Sequence, residues 1–155
     1  MLLIKQGYCH DGLQLLRTSL DQAPEANFQP RFTAFLGELA QGFACIGQVA
    51  EGLKTINEAL LLCERNEDGW CLAELLRIKA ELLSRHEQDA TALAECLTQS
   101  LERARCQQAF AWELRTAIST DRLGYDRQRP QDGRELLRSV YGRFTEGFEK
   151  QRRHC

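Results

Sequence analysis

A chain of 155 residues, 43% hydrophobic and 27% charged, has the length of one domain and enough apolar side chains to build a core. Its formal charge of −2 lacks the strong basic excess of a dedicated nucleic-acid binder. Residues 122–155 carry nine Lys or Arg against five Asp or Glu, which reads as a solvated helix face.

Only three prolines occur, at 24, 30 and 130, and the apolar residues recur at steps of three and four, so the chain is expected to be all-helical. Residues 1–22 read as the tail of one helix followed by a full partner, GLQLLRTSL at 12–20. Residues 30–46 open with Pro30 at an expected first helical position and set Phe32, Phe35, Leu36, Leu39, Phe43 and Ile46 on one broad face. Gly47 breaks that helix, and GLKTINEAL (52–60) follows. After the turn-forming run 66–69, residues 69–86 supply Leu72, Leu75, Leu76, Leu82 and Leu83, and LAECLTQSL (93–101) is their partner. Residues 108–124 carry Phe110, Leu114, Ala117, Ile118 and Leu123, then residues 129–132 break the chain before GRELLRSVY (133–141).

Laid in one register, the four second helices repeat every forty or forty-one residues. Gly12, Gly52, Leu93 and Gly133 open them. Leu16, Ile56, Leu97 and Leu137 follow at four, Ser19, Ala59, Ser100 and Val140 at seven, and Leu20, Leu60, Leu101 and Tyr141 at eight. Such a stripe, with small residues where a neighbour must come close, predicts helical hairpins of about 1–22 (partial), 30–65, 69–105 and 108–148, with a tail at 149–155. A hairpin cannot bury both faces alone, so the pairs are expected to stack as a solenoid. In YGRFTEGF (141–148), Tyr141, Phe144 and Phe148 are expected to form a core stripe sealing the last hairpin. Trp70 and Trp112, near the starts of first helices, are expected to be core anchors.

Leu36, Leu39, Ala40, Phe43, Gly52, Ile56 and Ala59 fall on the large and small positions of a tetratricopeptide motif, which this hairpin resembles. The segments EGLKTINEAL, WCLAELLRIKAELL, ECLTQSLERARCQQAFAWELRTA and VYGRFTEGF are similar to the C-terminal repeat region of large bacterial STAND-type ATPases and adenylate-cyclase-like regulators. The resemblance covers residues 1–148 and implies a right-handed tetratricopeptide-like α-solenoid serving as the sensor or docking arm of a signalling protein or transcriptional regulator. Thr120-Asp121 stands where that family places Leu-Ala, so Asp121 calls either for a rotated hairpin or for a partner such as Arg115 or Arg122.

Seven cysteines without a C-x-x-C pair read as small buried residues in a reducing cytosol rather than as disulfides or zinc ligands. Histidines 10, 86 and 154 share no ligand spacing with them, so neither metal nor cofactor is expected. The opening MLLIKQGYCH is too briefly apolar for a signal peptide or a membrane span, and a soluble cytoplasmic protein is expected. No G-x-x-x-x-G-K-[ST], H-E-x-x-H or G-x-S-x-G occurs, so no catalytic activity is expected.

By analogy with tetratricopeptide proteins, a concave surface made by the first helices would bind a protein or peptide. Its candidate residues are Ala34, Gly37, Gln41 and Cys45, then Glu74, Arg77, Glu81 and Arg85, then Arg115, Arg122 and Tyr125. Two alternatives stand beside this: a fragment that forms a homodimer through its incomplete N-terminal repeat, and a small-molecule effector sensor. No membrane partner and no direct nucleic-acid partner are expected.

Overall fold

The computed structural model describes residues 4, 6–22, 25–67, 69–86, 90–126 and 130–144; the side chains of 21, 25–30, 125, 126 and 130–132 lie outside that description. Among the described residues there are seven helices and no strand: α1 (Cys9–Gln22), α2 (Glu25–Cys45), α3 (Val49–Arg65), α4 (Leu72–His86), α5 (Ala90–Cys106), α6 (Phe110–Asp126) and α7 (Pro130–Tyr141). Each helix packs on the next in chain order, and α2 with α4 and α4 with α6 also touch directly. Among the described residues no helix is long and apolar enough to cross a membrane.

Short turns fold the helices back on one another. After α2, Gly47 takes φ +81 while its N–H bonds the Ala44 carbonyl and the Gln48 N–H bonds that of Phe43, which ends the helix in a left-handed residue. After α5 the same arrangement recurs on a non-glycine: Gln108 takes φ 52, and the Ala109 N–H reaches the Ala104 carbonyl at 2.9 Å. Pro30 lies inside α2, whose first helical residue is Glu25, rather than opening a helix. A proline there removes a single N–H from the ladder, and packing of the long apolar face outweighs it.

The core has two parts. Leu36, Leu39 and Phe43 of α2, Ile56 and Ala59 of α3, and Leu75, Ile78 and Leu82 of α4 form the larger. Ala80 and Leu83 of α4, Leu93, Cys96 and Leu97 of α5, and Leu123 of α6 form the smaller. At the seventh position of the repeat register, Ala59, Ser100 and Val140 are almost wholly buried, because a neighbouring helix passes over them, whereas Ser19 of α1 is exposed. Ser100 remains satisfied there: its hydroxyl donates to the Ala73 carbonyl at 2.7 Å and lies 2.8 Å from the Thr116 hydroxyl. The residues one step further on, Leu60 and Leu101, are half-buried, and Tyr141 is 51% exposed.

The closest helix approaches occur at glycines. A Cβ on Gly52 would stand 2.9 Å from the Ala40 carbonyl oxygen, and one on Gly133 would stand 2.5 Å from the Asp121 Cα. Both pairs are twelve residues apart, so the same crossing joins α2 to α3 and α6 to α7.

Three expectations are corrected. Cys9 and Cys45 form a disulfide, because the fold of α1 onto α2 brings their Cα atoms to 6.0 Å across 36 residues of chain. Cys63, Cys71 and Cys96 are buried thiols, as expected, while Cys106 is an exposed one. Tyr141 is not core: Val140, like Ala59 and Ser100 at the seventh step, is buried, while Tyr141 at the eighth step lies on the solvent edge of the stripe. Phe144 is half-buried and meets the edge of Phe110, over which the Arg143 guanidinium sits at 4.8 Å; Phe148 lies outside the described residues. Gly142 stands just past the end of α7, its N–H on the Arg138 carbonyl at 2.9 Å. Finally, Trp70 is 41% exposed and Trp112 half-buried, their ring centroids 6.0 Å apart, so they pair at the rim rather than anchor the core.

The Cys9–Cys45 bridge closes a loop of 36 residues, which by chain entropy contributes about 3–4 kcal/mol. Thermal melts of wild type and Cys9→Ser, with and without dithiothreitol, test this. Wild type should lose stability on reduction while Cys9→Ser, already lower, should not respond.

Candidate functional site

Along α4 the sequence places Glu74, Arg77, Glu81 and Arg85 three and four residues apart, hence on one helix face. Arg77 lies at the middle of that face and is only 4% exposed. Its guanidinium forks between neighbours one turn away on either side: Nη2 to Glu74 Oε1 at 2.8 Å and Nη1 to Glu81 Oε1 at 2.7 Å, with Nε on Glu74 Oε2 at 2.9 Å. Burial works against its charge, but the hydrogen bonds and the fields of Glu74 and Glu81 outweigh burial and raise its pKa.

Helix α6 closes this cluster from the side. Arg115 Nη2 reaches Glu74 Oε1 at 2.8 Å, and Arg122 Nη2 reaches Glu81 Oε1 at 2.6 Å. Between them the Ser119 hydroxyl donates to Glu81 Oε1 at 2.8 Å and accepts from Arg77 Nη1 at 3.3 Å. Burial pushes the Glu81 carboxyl pKa up, but Arg77, Ser119 and Arg122 together hold it below its ordinary value. On the other side, Arg85 Nη1 donates to the Ala44 carbonyl at the end of α2, at 3.3 Å.

These cross-helix contacts share one spacing. Arg115 with Glu74, Arg122 with Glu81 and Arg85 with Ala44 are each forty-one residues apart. Trp112 with Trp70, Ser119 with Arg77 and Cys71 with Thr33 fall between thirty-eight and forty-two. Helices α2 and α4, and α4 and α6, therefore meet at separations close to the forty or forty-one residues of the sequence register.

Between α2, α4 and α6 these rungs of cross-helix contacts leave a cavity of about 390 Å³, lined by Ile4, Gln41, Ala44, Cys45, Arg77, Ile78, Glu81, Leu82, Arg85 and Arg115. Of the residues singled out in the sequence, Gln41, Cys45, Arg77, Glu81, Arg85 and Arg115 meet at this cavity. Glu74 and Arg122 are tied to it through their ion pairs. Ala34 is half-buried against the larger core cluster. Gly37 is not part of the wall: it is buried where α2 crosses α4, and a Cβ on it would stand 2.7 Å from Leu75 Cδ2. Cys45 presents a disulfide rather than a thiol, and the Tyr125 side chain lies outside the described residues. Ile4 and the Ala44 carbonyl were missed; the forty-one-residue offset from Arg85 back to Ala44 is the signal that points to the latter.

Asp121 pairs with neither Arg115 nor Arg122, whose ion pairs go to Glu74 and Glu81. Its Oδ1 is buried without a hydrogen-bond partner, and the α7 backbone at Gly133 lies against it. The other buried carboxylate of α6, Glu113, is 1% exposed and held by Arg105 Nε at 3.0 Å and by Arg143. That pairing, with Phe110 and Phe144, ties the chain after α7 back onto α6. Among the described residues no three His, Cys, Asp or Glu side chains gather as a metal set. No protein-family model, curated protein or solved structure matches the chain.

Two measurements check these ion pairs. Because the folded-state pKa of Glu81 is depressed, its stabilisation is present above its ordinary value near 4.5 and is lost as pH falls through the folded-state value. Melting temperature should therefore drop on acidification below that value, and Glu81→Gln should start lower but show a shallower acid slope. Removing both Arg105 and Arg143 as alanines strands the buried Glu113 carboxylate and should cost about 3–5 kcal/mol, by denaturant titration. Each single substitution should cost clearly less.

Proposed function

We propose that the chain is a tetratricopeptide-like α-solenoid that acts as a non-catalytic interaction module, taking a protein or peptide segment on the surface formed by α2, α4 and α6. The observation that carries this reading is the row of cross-helix contacts at a constant forty-one residues, Arg115 to Glu74, Arg122 to Glu81 and Arg85 to Ala44. Such a row is what stacked hairpins of a single repeat produce. The crossings of Gly52 on Ala40 and Gly133 on Asp121, twelve residues apart in both cases, support it further, because hairpins of one kind place their close approach at one register. A cavity walled by three successive first helices gives such a surface a place to seat a side chain. The resemblance to the repeat arms of bacterial signalling ATPases and regulators makes a docking or sensing arm the role that suits it.

A second reading, self-association through α1, has its own observation: Tyr8 and Leu15 at this end of the molecule are each 61% exposed. Light scattering over a concentration series separates it from the first, since a strict monomer removes it.

The groove reading is tested by placing a photo-cross-linking amino acid at Gln41, in the cavity wall, or at Glu95, on the exposed face of α5. Partner cross-links mapped by mass spectrometry should arise from position 41, not position 95, and should vanish when Arg85 is replaced by Glu. Equal cross-linking from both positions contradicts the proposal.

A further inference from the structure

We propose that the cavity between α2, α4 and α6 selects an acidic peptide segment, an assignment that rests on the interaction-module reading and deepens it. Three arginines and one carboxylate line the cavity. Glu74 and Glu81 are already shared: Glu74 Oε1 accepts from both Arg77 and Arg115, and Glu81 Oε1 accepts from Arg122 while pairing with Arg77. Two carboxylates thus serve three guanidinium groups, and Arg85 adds a fourth whose hydrogen bond goes to a neutral carbonyl. A guanidinium carries five N–H donors, and Arg115 and Arg122 each give one nitrogen to these ion pairs, leaving donors free to fork onto an incoming carboxylate. The side chains of Arg115 and Arg122 are 40% and 57% exposed, so a ligand reaches them without first breaking into the core. The chain as a whole is net acidic, which makes this positive wall a local feature rather than a reflection of overall charge. A basic segment would meet like charge at every rung, and an apolar one would leave the guanidinium donors unpaired. A nucleic-acid strand needs a basic track along its backbone, whereas the arginines here gather at one open cavity of about 390 Å³ and are interleaved with Glu74 and Glu81.

Fluorescence anisotropy with short labelled peptides tests the assignment, using a Glu-Gly repeat, its Gln-Gly and Lys-Gly counterparts, and oligothymidylate. The Glu peptide should bind about tenfold more tightly than the Gln peptide, a difference that added salt erodes. Arg85→Glu should weaken the Glu peptide by about tenfold without moving the melting temperature, since Arg85 is exposed and outside the buried ion pairs. Glu and Gln peptides bound equally, or the Lys peptide bound best, overturns the acidic assignment and leaves the groove reading standing. Oligothymidylate bound more tightly than the Glu peptide, with the same loss in Arg85→Glu, assigns the wall to nucleic acid and overturns the peptide. Binding by none of the four overturns both the assignment and the groove.

Discussion

A guanidinium that is 4% exposed keeps its charge, and burying that charge is strongly destabilising unless it is answered nearby; Arg77 makes that demand at the centre of this molecule. Its answer comes from Glu74 and Glu81, one helical turn to either side on the same strip of α4. Those carboxylates in turn hold Arg115 and Arg122, which sets α6 alongside α4 at a fixed register. Ser119 fills the remaining hydrogen-bonding capacity between the two helices. The adjoining side of α4 is apolar and carries Leu75, Ile78 and Leu82 into the larger core cluster. One helix thus faces a hydrocarbon interior on one side and an ionic seam on the side next to it.

The seam and the core make different demands on geometry. Apolar packing tolerates small slips, whereas a guanidinium forked between two carboxylates tolerates few, so the ionic contacts specify register while Leu and Ile burial supplies most of the driving force. Glycine completes the arrangement where helices must nearly touch. At Gly52 and Gly133 any side chain would run into a carbonyl oxygen or a Cα of the facing helix. The disulfide at the first turn of α1 adds a covalent tie next to the same cavity, joining α1 to the end of α2.

Much of the helical organisation is legible in the chain because apolar spacing reports a buried face directly: Leu36, Leu39 and Phe43 predict one side of α2, and that side is buried. The face of α4 that carries Glu74, Arg77, Glu81 and Arg85 follows from spacing alone. What spacing does not carry is where burial stops at the edge of a stripe, which is why Val140 lies inside while Tyr141, one residue on, is 51% exposed. Nor does it carry pairings across distant sequence. Cys9 and Cys45 are separated by 36 residues, and an odd cysteine total gives no hint that two of them meet. Trp70 and Trp112 are large enough to suggest core anchors, yet each stands at the start of a helix, where the neighbouring layer ends and a ring finds a partner at the rim. Asp121 is read correctly as an anomaly, but of the two explanations it calls for, a rotated hairpin or an arginine partner, the second fails because Arg115 and Arg122 are taken by the carboxylates of α4.

Stacking of first helices at the repeat length is the claim on which the groove, its charge and its proposed ligand all stand. The two tryptophans of the chain offer a direct test, since they lie forty-two residues apart in sequence with ring centroids 6.0 Å apart. In a sample labelled only at tryptophan, the nuclear Overhauser spectrum should show cross-peaks between the two indole rings. Their absence, with both rings resolved and the protein folded, would contradict the stacked arrangement.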